Sequence, residues 1–251
     1  MERETKPSEV PAQTAGTAAM APIGIIGAME NEAAALKAQL ADVRTTTWAG
    51  MDFVEGTLAG KRVVIVRSGV GKVNAAVCVQ VLADKFGVGS IVNTGVAGSL
   101  DARIDIGDIV VSTDAVHHDT DVTFLGYAPG QVPQMDAFSF PADEGLRAAA
   151  LRAVASAAPD VSAWEGRVAS GDAFVHTDQQ KARIKDQFDA LCCEMEGAAI
   201  AHASWLNGIP FVIVRAISDK ADGSDSQNYQ EFEDKAAAHC AHIVAHMVKN
   251  L

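Results

Sequence analysis

Ile23-Gly24-Ile25-Ile26-Gly27-Ala28-Met29-Glu30-Asn31-Glu32 is the stretch from which the rest of this chain can be read. A four-residue apolar run ends at Gly27, and a helical stretch bearing two acids opens immediately after it. A run too short to be a helix, followed directly by one, reads as a buried strand of a parallel sheet. Two distant segments repeat the arrangement. Leu191 to Cys193 precede Glu194-Met195-Glu196, and Phe211 to Val214 precede Arg215-Ala216-Ile217-Ser218-Asp219. In open α/β sheets, ligands bind in the crevice beyond the carboxyl ends of the strands. Three strand ends that carry acids therefore predict one acidic site assembled from separate parts of the chain.

Working outward, Asp52 to Leu58 and Arg62 to Val66 read as a hairpin turned at Ala59-Gly60. The turn Ser68-Gly69-Val70-Gly71-Lys72 opens a helix to about Phe86. The strand Ser90 to Asn93 ends in a turn of small residues, Thr94 to Gly98. Further strands are expected at Asp108 to Ser112 and Gly166 to Ala169. Helices are expected over Glu30 to Leu40, Asp143 to Ala157, Thr177 to Phe188, Glu196 to Leu206 and Tyr229 to Lys249. The stretch from His117 to Phe140 reads as a long loop, and loops of that length are usually functional. This alternation predicts a single α/β domain around a central sheet, which the hairpin makes mixed.

Composition narrows the function. The chain has 251 residues and a formal net charge of −12, against the clustered cations that nucleic acid or an anionic membrane would require. No apolar run reaches the roughly 18 residues that a membrane span needs. Cys192 and Cys193 are adjacent, and Cys78 and Cys192 sit in apolar runs, so buried free thiols and a cytoplasmic location are expected. Residues 1–19 mix charges with Pro, Thr and Ala and read as a disordered extension ahead of a domain over 20–251.

Several motifs invite other chemistry and fail on inspection. Ser68 to Lys72 looks like a phosphate loop, but Val66 stands where its first glycine belongs and Val73 where its final hydroxyl belongs. Gly24 and Gly27 lack the third glycine of a dinucleotide turn. His239, His242 and His246 recur at helical spacing around Cys240, a pattern read as a helix face in preference to a metal site. No metal and no cofactor is expected. Glu32 and Glu196 could simply favour helix N-termini, and Asp219 could cap a turn. Their joint placement at strand ends beside Arg215 is what points to a shared site.

Taken as strings and in this order, Gly24 to Glu32, Ser68 to Lys72, Asn93-Thr94-Gly95, Ser170 to Phe174, Glu194 to Glu196 and Arg215 to Asp219 resemble the bacterial 5′-methylthioadenosine/S-adenosylhomocysteine nucleosidases. These belong to the purine nucleoside phosphorylase-like superfamily. The resemblance runs from Ile23 to the last helix. It implies a three-layer α/β/α sandwich and hydrolysis that releases adenine from 5′-thio-substituted adenosines, in methionine salvage. It implies that Glu32, helped by Arg215, orients and deprotonates the attacking water, and that Asp219 is the general acid at adenine N7. Glu196 would hold the ribose hydroxyls, with Met195 against the sugar. Phe174 would stack on the base, and the Val175 backbone would read its edge. Val70, Val96 and Ser218 would line the site. Tyr229, with Val122 and Pro133 of a neighbouring subunit in a homodimer, would line the 5′ pocket. Val96 stands where many relatives carry serine, which removes one hydrogen bond expected near Glu32. Ala221 to Gln227 would form a lid over the ligand.

The chemistry asks for the same residue types. Breaking an N-glycosidic bond puts positive charge on the ribose and negative charge on the leaving purine. An acid at the purine contributes roughly 10²–10⁴-fold. A carboxylate at the ribose hydroxyls interacts more strongly as the sugar becomes cationic. Like charges and burial push such carboxyl groups apart in pKa, and Asp219 is expected to be the protonated one. Glu30 and Glu32 in the first turn would repel phosphate, so water is the expected nucleophile. The alternatives are a phosphorylase or futalosine hydrolase of the same superfamily, or a non-catalytic nucleoside-binding protein.

Overall fold

The computed structural model describes residues 21–220 and 229–251, and for residues 229–232 only their backbone. The expected extension over residues 1–19 and the expected lid over Ala221 to Gln227 lie outside the described residues. In chain order the elements are β1 (Ile23–Gly27), α1 (Glu30–Lys37), β2 (Ala41–Trp48), β3 (Met51–Leu58), β4 (Lys61–Arg67) and α2 (Lys72–Val81). There follow β5 (Ser90–Ser99), β6 (Ile109–His117), β7 (Phe140–Pro141), α3 (Glu144–Ala157), β8 (Ala163–Ser170) and α4 (Asp178–Phe188). The remainder is β9 (Cys192–Glu194), α5 (Gly197–Asn207), β10 (Phe211–Asp219) and α6 (Tyr229–Lys249).

All ten strands among the described residues join one mixed sheet. Its open half runs β2-β3-β4-β1-β5, with β1 parallel to both β4 and β5. Beyond β5 the sheet closes on itself, because β5 pairs with β10 as well as with β9, and β9-β8-β6 leads back to β10. The apolar runs of β1, β4, β5 and β10 are buried on both faces, which is why they read as unbroken hydrophobic stretches. Apolar faces of α1, α3 and α6 cover one side through residues such as Leu36, Ala150, Ile243 and Met247. Residues of α2 and α5, including Cys78, Val79, Ala198 and Ile200, cover the other. The result is the expected three-layer sandwich.

The hairpin expected at Ala59-Gly60 is present, and both residues take positive φ (50° and 84°), the two-residue turn whose twist suits paired strands. Its twin at Ala49-Gly50 joins β2 to β3. Sequence pattern misses β2, because this edge strand is almost wholly exposed and Arg44-Thr45-Thr46-Thr47 has no apolar alternation. Its signal is the run of β-branched threonines. Part of the expected loop from His117 to Phe140 is ordered as a helical turn at Thr123–Leu125 and the short β7.

Two expectations about the strand ends are corrected. Thr94 to Gly98 is not a turn: β5 continues to Ser99, laddered along β10 from Ile91 to Gly98. Its glycines serve close approach of side chains instead. A Cβ on Gly98 would lie 3.0 Å from both carboxylate oxygens of Asp219, and one on Gly95 would collide with Arg215 and Glu32. The three acid-bearing strands also do not all run parallel. β9 is antiparallel to β5, pairing Cys193 with Gly98 at the tip where β5 has outrun β1. Glu194 and Glu196 therefore reach the site from the opposite direction, over the top of the sheet.

Candidate active site

A cavity of about 300 Å³ opens where β1, β5, β9 and β10 end. That volume lies at the small end of the range for small-molecule sites. Glu32, Glu194, Glu196 and Asp219 line it, together with Glu233 from α6, and among the described residues its lining holds no lysine or arginine. Val70, Val96, Phe174, Val175, Met195 and Ser218 line it too. So three distant acid-bearing segments do meet, as their placement at strand ends implies. Val122 and Pro133 do not line this cavity, and the side chain of Tyr229 lies outside the described residues.

Glu32 is held by three backbone donors. Its Oε2 accepts from Ala28 N at 2.6 Å and Met29 N at 2.9 Å, and its Oε1 accepts from Val96 N at 3.0 Å. It thus caps α1, as a first-turn acid can, while also facing the cavity. The Val96 contact comes from the main chain, so the missing serine hydroxyl does not leave Glu32 without a bond there.

Arg215 is fully buried behind the cavity and does not line it. Its Nη2 donates to Asn93 Oδ1 at 2.7 Å and to Glu194, and lies 3.8 Å from Glu196 Oε2. Its Nη1 lies 4.0 Å from Glu32 Oε1 and donates to the Thr94 carbonyl at 3.4 Å. Burial alone would lower the guanidinium pKa, but the charges of Glu194, Glu32 and Glu196 overcome it and hold the group above its ordinary value. One buried cation thus faces three carboxylates in a water-poor setting.

Glu194 is the residue that sequence reasoning underrated. It receives the Ser170 hydroxyl, Glu196 N at 3.1 Å, Gly197 N at 2.8 Å and Arg215 Nη2. With all these donors committed to it, Glu194 ties β8, α5 and β10 together. Its signal was the Glu-Met-Glu spacing, in which one acid ends β9 and the other is the N-cap residue of α5. Glu196 Oε1 accepts from Gly71 N at 2.8 Å, which draws the Ser68–Lys72 turn over the site. Burial first, and then the Glu194 charge, push the Glu196 carboxyl up to about 7.

Asp219 sits just past a bulge in β10, which turns its carboxylate toward Gly98. Its Oδ1 accepts from the Ser218 hydroxyl at 3.2 Å, and its Oδ2 lies 2.7 Å from the ammonium of Lys181, a residue absent from the sequence reading. Cys193 also lines the cavity, but burial pushes its thiol up to about 12, which excludes a thiolate nucleophile. A buried carboxylate cluster, one balancing cation and an acid at the rim can activate water, stabilise a cationic sugar and protonate a leaving group.

The chain matches the Phosphorylase superfamily over residues 22–249. It is 43% identical over 230 residues to the 5′-methylthioadenosine/S-adenosylhomocysteine nucleosidase of Anoxybacillus flavithermus, covering 91% of this chain and 98% of that protein. The structure of the Neisseria meningitidis nucleosidase in complex with methylthio-immucillin-A superposes with a TM-score of 0.88 at 41% identity, covering 92% of this chain and 100% of the other. The Colwellia psychrerythraea enzyme in complex with adenine gives 0.87 at 39% identity, covering 92% and 96%. Matching sequence over nearly its whole length, the same fold, and acids gathered in one cavity place this chain in the 5′-methylthioadenosine/S-adenosylhomocysteine nucleosidase family of the phosphorylase superfamily.

Proposed function

We propose that this chain hydrolyses the N-glycosidic bond of 5′-methylthioadenosine and S-adenosylhomocysteine, releasing adenine. The observation that carries the reading is the convergence of Glu32, Glu196 and Asp219 on one cavity whose described lining offers no cation to a phosphate dianion. A phosphorylase has to hold that dianion with arginines or a glycine-rich turn. Here the cavity-facing charges would repel it, and water is the nucleophile.

In this reading Glu32 orients and deprotonates the water, with Arg215 balancing the buried charge behind it. Glu196 grips the ribose hydroxyls, and its attraction grows as the sugar becomes cationic. Met195 packs against the sugar, Phe174 stacks on the base, and the Val175 main chain reads the purine edge. Asp219, supported by Ser218, protonates N7. Val70 and Val96 shape the walls. No metal or cofactor takes part.

A homodimer completes the 5′ pocket, with Tyr229 from one subunit and Val122 and Pro133 from the other. The exposed apolar side chains support that assembly. Val73 on α2 and Leu206 on α5 are 75% and 65% exposed, on helices joined by a hydrogen bond from Asn207 to Gln80. Phe124, in the turn beside Val122, is 98% exposed. Burying such side chains against a second copy would cover them. The four free buried cysteines support a cytoplasmic location. Cleavage of 5′-methylthioadenosine would serve methionine salvage, and no helix among the described residues is long and apolar enough to cross a membrane.

The test is adenine release from 5′-methylthioadenosine in phosphate-free buffer. Turnover there, with D219N retaining ligand binding but losing turnover, is the expected result. A strict requirement for phosphate, or full activity in D219N, would overturn the reading.

A further inference from the structure

Lys181 is the single lysine buried among the described residues, only 5% exposed. It occupies the first turn of α4, where a positive charge opposes the helix dipole. Burial and placement are both unfavourable, and α4 does not need Lys181 to begin: Thr177 accepts from Gln180 N, and Gln180 reaches back in a complete capping box. What the ammonium gains is Asp219 Oδ2 at 2.7 Å and the carbonyl of Lys220, both at the end of β10. An ion pair is retained in so dry a place at a cost in desolvation, which argues for a task other than holding the fold.

We propose that Lys181 is the positioning residue for Asp219 in proton transfer to the leaving purine, an inference that rests on the nucleosidase reading above. An ammonium offers only donors. With Oδ2 facing it, the transferable proton of Asp219 resides on Oδ1, the oxygen that also meets the Ser218 hydroxyl. In the reaction Oδ1–H breaks and N7–H forms, the glycosidic electron pair passes to the purine ring, and the carboxylate left behind already has its ion-pair partner. Rotation about the last Asp torsion is otherwise broad. Without Lys181 the two oxygens exchange places and the proton loses its aim, and such misplacement costs on the order of 10²-fold in rate.

The experiment compares wild type, K181M and K181R by adenine release from 5′-methylthioadenosine, each at its own pH optimum. Binding of the 7-deaza analogue, in which carbon replaces N7, is measured alongside. The expected result for K181M is a kcat lower by about 100-fold, with KM and 7-deaza affinity within about 3-fold of wild type. K181R, which keeps a cation able to reach Oδ2 and the carbonyl, recovers most of kcat. Undiminished kcat in K181M, equal losses in kcat and in 7-deaza binding, or a K181R as slow as K181M would each overturn the positioning role. If K181M does not fold, K181Q carries the same comparison. A wild type that releases no adenine would bring down the nucleosidase reading and this inference together, whereas an active wild type beside an equally active K181M removes the inference alone.

Discussion

The Glu196 carboxylate lies 3.8 Å from the Arg215 guanidinium and nevertheless holds its proton up to about 7. Burial and the adjacent Glu194 charge outweigh the cation, whose short contact goes to Glu194 instead. Glu196 would titrate near 4.5 without these neighbours. Between those two values the native state binds a proton that the unfolded chain has released, so stability falls as pH rises through the window and the loss is complete above about 7. Urea denaturation across that range checks it. E196Q is neutral throughout, and its stability relative to wild type is expected to climb with pH by on the order of 3 kcal/mol. Parallel curves for the two proteins would disprove the assignment.

Removing the cation is a harsher change. R215M would leave Glu32, Glu194 and Glu196 facing one another with no compensating charge. Breaking a buried ion pair by deleting one partner costs roughly 3–5 kcal/mol. R215K is expected to lose less, because it keeps the charge while giving up the fork that reaches Asn93 and the Thr94 carbonyl. Thermal denaturation of both variants, with the lysine variant melting clearly above the methionine one, is the expected outcome.

Glu32 performs two tasks, and E32Q separates them. A carboxylate accepts from Ala28, Met29 and Val96 together, whereas the amide nitrogen of glutamine cannot accept. At least one buried N–H loses its partner, at a cost of about 1–3 kcal/mol. Turnover is expected to fall by roughly 10²–10⁴-fold with loss of the base. Denaturation and adenine-release assays on the same preparation would reveal whether one loss occurs without the other.

Gly98 provides a local probe of Asp219. Its backbone needs no left-handed conformation, so G98A is tolerated by the main chain, but the added methyl would sit 3.0 Å from both carboxylate oxygens. The carboxylate has to move by a few tenths of an ångström. A drop in kcat of about 10-fold or more is expected, with a melting temperature near that of wild type. Unchanged kcat would show that the position of this carboxylate is not critical.

Short buried strands flanked by helices were legible in the sequence because burial on both faces demands unbroken apolar runs, as at Ile23–Ile26 and Phe211–Val214. So was the joint placement of Glu32, Glu196 and Asp219, since open α/β sheets gather their sites beyond the ends of their strands. The turn at Ala59-Gly60 was legible for a local reason: two successive positive φ values favour it. The edge strand at Ala41–Trp48 was hidden, because an exposed strand carries no hydrophobic period.

Other features depend on contacts that no local pattern encodes. Thr94 to Gly98 looks like a turn and becomes strand because β10 lies alongside it, 120 residues further along the chain. The reversed direction of β9 follows from the space left where β5 outruns β1. The charge states of the site were equally out of reach of the sequence. The Glu196 carboxyl is pushed up to about 7, and Lys181 meets Asp219, because desolvation and Coulomb interactions depend on distance in space. The sequence by itself determined which residue types reach the crevice; only the tertiary structure decided which of them share a charge, a proton or a partner.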